Sequence, residues 1–115
     1  MLVPFDSLPE NARVWIYQAN RSFTAEEALE ITKKAGVFLQ AWTAHGAGLE
    51  AAFELRYKRF LVIGLNQEVN AASGCSIDAS VRFIQQLEKE YAVELLDRMN
   101  VSYRQGDFIA YKPLA

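Results

Sequence analysis

The pattern of apolar and polar residues divides the chain into strand-like and helix-like stretches. Two stretches, Arg13 to Ala19 and Phe60 to Leu65, carry apolar side chains on both faces, which is typical of strands covered on both sides. A third stretch, Leu49 to Tyr57, alternates apolar and charged residues, which predicts an edge strand with one face in water. Near the end of the chain, Val101 to Tyr103 and Phe108 to Tyr111 are predicted to form two short strands.

Apolar residues recur every three or four positions in two longer stretches, which predicts two amphipathic helices. The first helix should run from about residue 25 to residue 44, starting with a capping box formed by Thr24 and Glu27. The second should run from about residue 76 to residue 98. The predicted buried stripes are Ala28, Ile31, Ala35, Phe38 and Trp42 in the first helix, and Ile77, Val81, Ile84, Leu87, Tyr91 and Leu95 in the second.

These elements follow the order β-α-β-β-α-β with one extra strand, which follows a turn at Gln105-Gly106-Asp107. This is the order of the ferredoxin-like split β-α-β fold, in which the first and third strands lie in the middle of an antiparallel sheet. The two stretches with two apolar faces fall at these middle positions. We therefore predict an α+β, ferredoxin-like single domain over residues 1–115, with an antiparallel sheet, an extra C-terminal strand and two helices on one face.

The composition of the chain limits its class. The chain has 115 residues, of which 51% are hydrophobic and 23% are charged, and this fits one globular domain. Its net charge of -2 and its pI near 5.4 argue against a general nucleic-acid or anionic-membrane surface. No run of about 18 apolar residues occurs, so no membrane-spanning segment is expected. The single cysteine and a start that lacks signal-peptide features predict a cytoplasmic location.

The motifs predict no cofactor. The chain has neither a phosphate-binding loop nor the glycine motif of dinucleotide-binding folds. The segment GAGLEA, residues 46–51, matches a looser form of the glycine motif, but it follows a predicted helix and precedes a predicted strand, which is the wrong context. The only histidine, His45, and the only cysteine, Cys75, cannot supply the usual ligands of a structural zinc site.

The predicted topology brings His45 and Cys75 to the same end of the domain. His45 lies in a turn, AHGAG, after the first helix, where Gly46 or Gly48 would supply a left-handed stop. Cys75 lies where the loop after the third strand becomes the second helix. The first helix and the third strand run in the same direction in this fold. Both turns should therefore lie at the end of the domain where these two elements finish.

The residue types in these two turns suit a small anionic or thiol-reactive ligand. A Ser-Gly-x-Ser turn at a helix start can form an anion-binding nest, and the helix dipole stabilises a thiolate there. Asp78 could cap the helix or orient a partner, and a histidine at the end of the first helix could be the base or charge partner of a nucleophilic or redox thiol. The predicted catalytic pair is Cys75 and His45, and the predicted ligand-binding residues are Ser73, Gly74, Ser76 and Asp78.

Each of these residues also has a purely structural interpretation. A lone cysteine in a globular domain is more often a small packed side chain than a nucleophile. A Ser-Gly-x-Ser turn is most often an N-cap, and an acid early in a helix most often compensates the dipole. The site prediction therefore depends on the convergence of the two turns.

Aromatic residues of the sheet give an alternative, non-catalytic interpretation. Trp15 and Tyr17 share one face of the first strand, and a sheet face without helices must be covered or remain as an exposed apolar patch. The alternative prediction is a homodimeric interaction module that packs sheet on sheet. RNA binding is disfavoured, because the third strand, YKRFLVIGL, lacks the Lys/Arg-Gly-aromatic pattern of RNA-recognition domains.

Three segments, VPFDSLPENARVWIYQANRSFT, WTAHG and ASGCSIDASVRFI, resemble a family of small uncharacterised bacterial proteins, some of which are labelled "ABC transporter ATPase". The most distinctive parts are Trp42 to Gly46 and Ser73 to Asp78. The resemblance covers most of the chain and implies no established activity. The label does not fit the residues, because ATP hydrolysis by that class needs a phosphate loop and an acidic residue that holds Mg²⁺. We expect no ATPase activity.

Overall fold

The computed structural model describes residues 1–96, 100–105 and 108–113. Its helices and strands are β1 Arg13–Gln18, α1 Ala25–Ala41, β2 Thr43–Ala44, β3 Ala47–Gly48, β4 Ala51–Arg56, β5 Phe60–Leu65, α2 Gly74–Tyr91, β6 Asn100–Gln105 and β7 Phe108–Pro113. An antiparallel three-stranded sheet has the order β1-β5-β4, β2 pairs with β3, and β6 pairs with β7. The predicted α+β class, with two helices and antiparallel strands, is confirmed.

The position of β5 explains why this strand is apolar on both faces. It lies between β1 and β4, and its residues Leu61 to Leu65 are buried. β4 is an outer strand of this sheet, as predicted, although it is shorter than the predicted stretch. β1 is also an outer strand of the three-stranded sheet, with β6 next to it in a separate hydrogen-bonded pair. The predicted turn at Gln105-Gly106-Asp107 lies partly outside the described residues, but the pairing of Gln105 with Phe108 spans it.

Both helices pack on the same face of the three-stranded sheet. The helix residues buried there are Ile31, Ala35 and Leu39 of α1 and Ser76, Ser80, Ile84, Leu87 and Tyr91 of α2. The predicted stripe of α2 is wrong near the start of the helix, where Ile77 and Val81 are only half-buried. Two small serines face the core in their place. Trp42 packs at this helix start, where its indole Nε1 donates a buried hydrogen bond of 2.8 Å to the carbonyl of Ser76.

Trp15 and Tyr17 face the helices. The ring of Trp15 meets that of Trp42 edge-on, with centroids 6.0 Å apart. Burial raises the pKa of the Tyr17 hydroxyl to about 12. The prediction that these two side chains form the helix-free face of the sheet is therefore wrong, because the alternation of β1 turns Val14 and Ile16 to that face.

The N-terminal arm, residues 1–12, covers the helix-free face and one edge of the sheet. Its main chain pairs with β4 through Val3 N to Ala51 O at 2.8 Å and Ala51 N to Met1 O at 3.0 Å. Its side chains Phe5 and Leu8 lie on the sheet, where Leu8 is buried against Ala52. A Cβ at Gly64 would lie 2.4 Å from the Cδ1 atom of Leu8, so the Leu8 side chain could not keep its present position with a larger residue there. The arm thus supplies a cover that the sequence pattern did not predict.

The first helix begins where predicted and ends early. In its capping box, Glu27 N donates to Thr24 Oγ1 at 3.1 Å and Thr24 N donates to a Glu27 carboxylate oxygen at 3.0 Å. The helix ends at Ala41 instead of residue 44, and Trp42 is extended with φ -72° and ψ 127°. The predicted left-handed glycine stop is wrong, because the chain turns directly into the β2–β3 hairpin, in which Leu49 N donates to Trp42 O at 3.0 Å.

The second helix also ends before its predicted limit. It stops at Tyr91, and Ala92 adopts the left-handed conformation with φ 51°. The Glu88 carboxylate accepts hydrogen bonds from the amides of Leu95 at 2.7 Å and Leu96 at 2.9 Å. These bonds hold the following segment in a non-helical path. The apolar residues beyond Tyr91 therefore reach the core from a loop, although their spacing in the sequence is that of a helix.

The turn between β4 and β5 is strained, and we expect its replacement to stabilise the protein. Its central residues Tyr57 and Lys58 have φ values of 57° and 53°, a region that favours glycine and asparagine. The double substitution Tyr57→Asn with Lys58→Gly should raise the free energy of unfolding by about 1 kcal/mol. Asparagine and glycine adopt the left-handed conformation at a lower cost, and this gain exceeds the conformational entropy that glycine loses on folding. Urea denaturation measures this change. A double variant less stable than the parent would show that the turn carries no such strain.

Candidate functional site

An open depression of about 570 Å³ lies where the end of α1, the β2–β3 hairpin and the first turns of α2 meet. It is lined by Val37, Phe38, Ala41, Trp42, Thr43, His45, Ser73, Cys75, Ser76 and Ala79. The structure therefore brings together four of the six predicted site residues, namely His45, Ser73, Cys75 and Ser76. Gly74 and Asp78 are not among the residues that line the depression.

His45 lies at the tip of a hairpin. It and Gly46 form the two-residue turn between β2 and β3, with φ values of 52° and 79°, as in a type I′ turn. Its side chain is exposed at the rim of the depression. The expectation that His45 lies at the end of a helix is wrong, because α1 ends at Ala41. The hairpin is tied to the loop before α2 by Asn70 Nδ2, which donates to Gly48 O at 2.9 Å.

Cys75 is an exposed free thiol in the first turn of α2. The helix is started by a reciprocal cap, in which Ser76 N donates to Ser73 Oγ at 3.1 Å and Ser73 N donates to Ser76 Oγ at 2.7 Å. The Ser76 hydroxyl also donates to Ser73 O at 2.8 Å, and the Ser76 side chain is buried. Both serines are thus occupied in building the helix start that presents Cys75.

Two main-chain donors remain at this helix start. The amides of Gly74 and Cys75 have no acceptor within the part of the chain that the structure describes. The first amides of a helix have no partner inside the helix, and they carry the positive end of its dipole. Cys75 lines the depression, so the positive end of α2 borders it and favours negative charge there, and His45 lies in the same lining.

Asp78 has neither of its predicted roles as a cap or as part of the lining. Ser73 is the N-cap, and no acidic residue lies in the first turn of α2. Asp78 is exposed, one turn beyond the cap. Because a residue so placed points away from the face that holds Ser76 and Ser80, its carboxylate faces solvent.

The apolar wall of the depression is the part that the sequence prediction missed. Phe38 and Trp42 were expected only as core residues, and Val37, Ala41, Thr43 and Ala79 were not singled out. The sequence does carry a signal for this wall, namely a pair of small or apolar residues beside the core stripe of each helix. Val37 and Ala41 are four residues apart on α1, as Cys75 and Ala79 are on α2, so each pair forms one helix face.

Two further findings concern the described residues only. They contain no group of three or more His, Cys, Asp or Glu side chains placed to hold a metal ion. None of their helices is both long and apolar enough to cross a lipid bilayer. Comparisons of the chain with protein-family models, with curated proteins and with solved structures found no match.

Proposed function

We propose that this chain is a cytoplasmic ligand-binding protein whose depression at the start of α2 takes a small anionic or thiol-reactive ligand. The observation that carries the proposal is the shared lining: His45 and Cys75, which are 30 residues apart in the sequence, border one open depression. The amide of Cys75, which has no acceptor among the described residues, belongs to the same lining.

The contacts suggest how a ligand would be held. An anionic group would accept hydrogen bonds from the amides of Gly74 and Cys75, and a protonated His45 would add a favourable charge. The apolar part of the ligand would lie on the rings of Phe38 and Trp42, whose centroids are 5.7 Å apart. With an electrophilic ligand, Cys75 would be the nucleophile or redox thiol, and His45 would accept its proton.

The ferredoxin-like arrangement is part of the same proposal. Addition of β6 beside β1 would give the order β6-β1-β5-β4, which is that of the ferredoxin-like sheet. The antiparallel pairing of β1 with β5 and of β5 with β4 supports this order, as does the proximity of β6 to β1. The two turns that border the depression meet at one end of the domain in this fold.

The homodimeric interaction module stays a prediction, and the helix-free sheet face offers no exposed apolar surface for it among the described residues. A dimer through the helix-free sheet face would use Val14, Ile16 and Val62, all of which are buried within the chain. Phe5 of the N-terminal arm packs against them. A second copy could use this face only after the arm moved away, so the ligand pocket is the function that the geometry favours.

The test is the rate at which iodoacetamide alkylates Cys75 at pH 7 in the parent and in His45→Asn. Asparagine tolerates the left-handed conformation at this position, so the turn is kept and only the imidazole is lost. We expect the rate to fall about two- to fivefold, because an exposed charge pair contributes about 0.2–1 kcal/mol. Tyr57→Asn, in the turn between β4 and β5, is the matched control and should leave the rate unchanged. Equal rates in the parent and in His45→Asn would refute the coupling of His45 to Cys75.

A further inference from the structure

A second open depression continues the first along the groove between the two helices. Its volume is about 540 Å³. It is lined by Lys33, Lys34, Val37, Phe38, Phe83, Gln86, Leu87 and Glu90. Val37 and Phe38 line both depressions, so the two form one groove that starts beside Cys75 and runs along α1 and α2 towards Lys33.

The middle of this groove is apolar. The rings of Phe38 and Phe83 stack across it, with centroids 4.6 Å apart and an interplanar angle of 3°. Val37 projects beside them and is 69% exposed. Leu87 is buried under the same segment. An apolar floor of this kind suits a hydrocarbon chain better than a compact polar ligand.

The charges along the groove favour an anion. Among the described residues, the only carboxylate in either lining is that of Glu90, and it is paired with the ammonium of Lys34. That hydrogen bond is the main reason why the pKa of the Lys34 ammonium is raised and the pKa of the Glu90 carboxyl is lowered. Lys33 has no ion-pair partner among the described residues, and His45 and Cys75, with its unpaired amide, lie at the other end.

We propose that the ligand of this groove is an amphipathic carboxylate with a linear hydrocarbon tail. Its carboxylate would lie at the start of α2 beside His45, and its tail would run over Val37 and the Phe38–Phe83 stack. This inference rests on the proposed function, since it assigns a ligand class to the same pocket. It extends that function by making the tail, and not only the anionic head, a source of affinity.

The experiment compares hexanoate with dodecanoate, each kept below its micelle concentration, with the fluorescence of Trp42 and Trp15 as the readout of binding. Burial of each added methylene in a groove should strengthen binding, so we expect dodecanoate to bind at least about thirtyfold more tightly than hexanoate. Dodecanol is the uncharged probe and should bind more weakly than dodecanoate.

Two matched variants locate the tail. Val37→Glu puts a charge in the middle of the groove, and Leu29→Glu makes the same change at a 74% exposed position of α1 that does not line either depression. We expect Val37→Glu to weaken dodecanoate binding at least about tenfold, since a charge opposes both the tail and the head. Leu29→Glu should leave the affinity unchanged. Equal losses in the two variants would overturn the proposed groove.

The outcomes separate this inference from the proposed function. If hexanoate binds and dodecanoate binds no more tightly, the tail groove is wrong and the anion pocket stands. If dodecanol binds as tightly as dodecanoate, the groove stands and the anionic head site is wrong. If neither acid binds, both proposals fail.

Discussion

Replacement of Trp42 by alanine should remove about 3–5 kcal/mol from the free energy of unfolding, the loss expected for a buried tryptophan. Trp42 is 3% exposed and lies at the junction of α1, the β2–β3 hairpin and α2. Its ring contacts those of Trp15 and Phe38, and its indole donates a buried hydrogen bond to α2. Because domains of this size have only about 5–15 kcal/mol of stability, the variant should unfold at much lower urea concentration.

The hydrogen bond of Trp42 can be tested apart from its volume. Trp42→Phe keeps an aromatic ring but leaves the Ser76 carbonyl without its indole partner, which should cost about 1–3 kcal/mol. Trp15→Phe is the matched control, because Trp15 is half-buried and makes no indole hydrogen bond to the described residues. We expect Trp42→Phe to lose more stability than Trp15→Phe. A smaller loss in Trp42→Phe would mean that the bond to Ser76 does not stabilise the helix junction.

The second large effect is expected at Gly64, where alanine should destabilise the protein by about 1–3 kcal/mol through overpacking. The added Cβ would overlap Leu8 Cδ1 and lie 3.4 Å from Cε2 of Phe5. The Leu8 side chain would have to leave its present position on the sheet face. Gly36→Ala, in the middle of α1, is the matched control, and there the new Cβ would lie at an ordinary 3.6 Å from Leu2. That variant should gain about 0.5–1 kcal/mol, because alanine suits a helix interior better than glycine.

A double-mutant cycle identifies the arm as the cause. In a Leu8→Ala background the clashing side chain is gone, so Gly64→Ala should cost at least about 1 kcal/mol less than in the parent. Denaturation in urea gives all four stabilities. If the cost of Gly64→Ala is the same in both backgrounds, Leu8 is not the residue that makes the glycine necessary.

The order and class of the main elements could be predicted because they follow from residue periodicity. β5 is apolar at every position since both of its faces are covered, and α1 starts at a capping box that Thr24 and Glu27 specify locally. The ends of the helices could not be predicted in this way. The apolar residues that follow Tyr91 keep a helical spacing in the sequence. In the structure, however, the amides of Leu95 and Leu96 donate to the Glu88 carboxylate, and these hydrogen bonds replace those of a longer helix.

The location of the candidate site in the fold could be predicted better than the residues that line it. The direction of the elements put His45 and Cys75 at one end, and this depends only on topology. The role of Ser76 depends on its burial under Trp42, and the exposure of Asp78 depends on how α2 is rotated about its axis. The apolar wall was hidden because residues such as Phe38 serve the core on one side and the depression on the other.

The most direct test of the anion pocket is a comparison of iodoacetate with iodoacetamide as alkylating reagents for Cys75. The two reagents are similar in size and differ by one negative charge. Their rate ratio is measured in the folded protein and again in urea, where Cys75 has no pocket. We expect folding to raise the ratio in favour of iodoacetate by about two- to fivefold, despite the net charge of -2. A ratio that folding leaves unchanged or shifts towards iodoacetamide would contradict an anion-binding site at the start of α2.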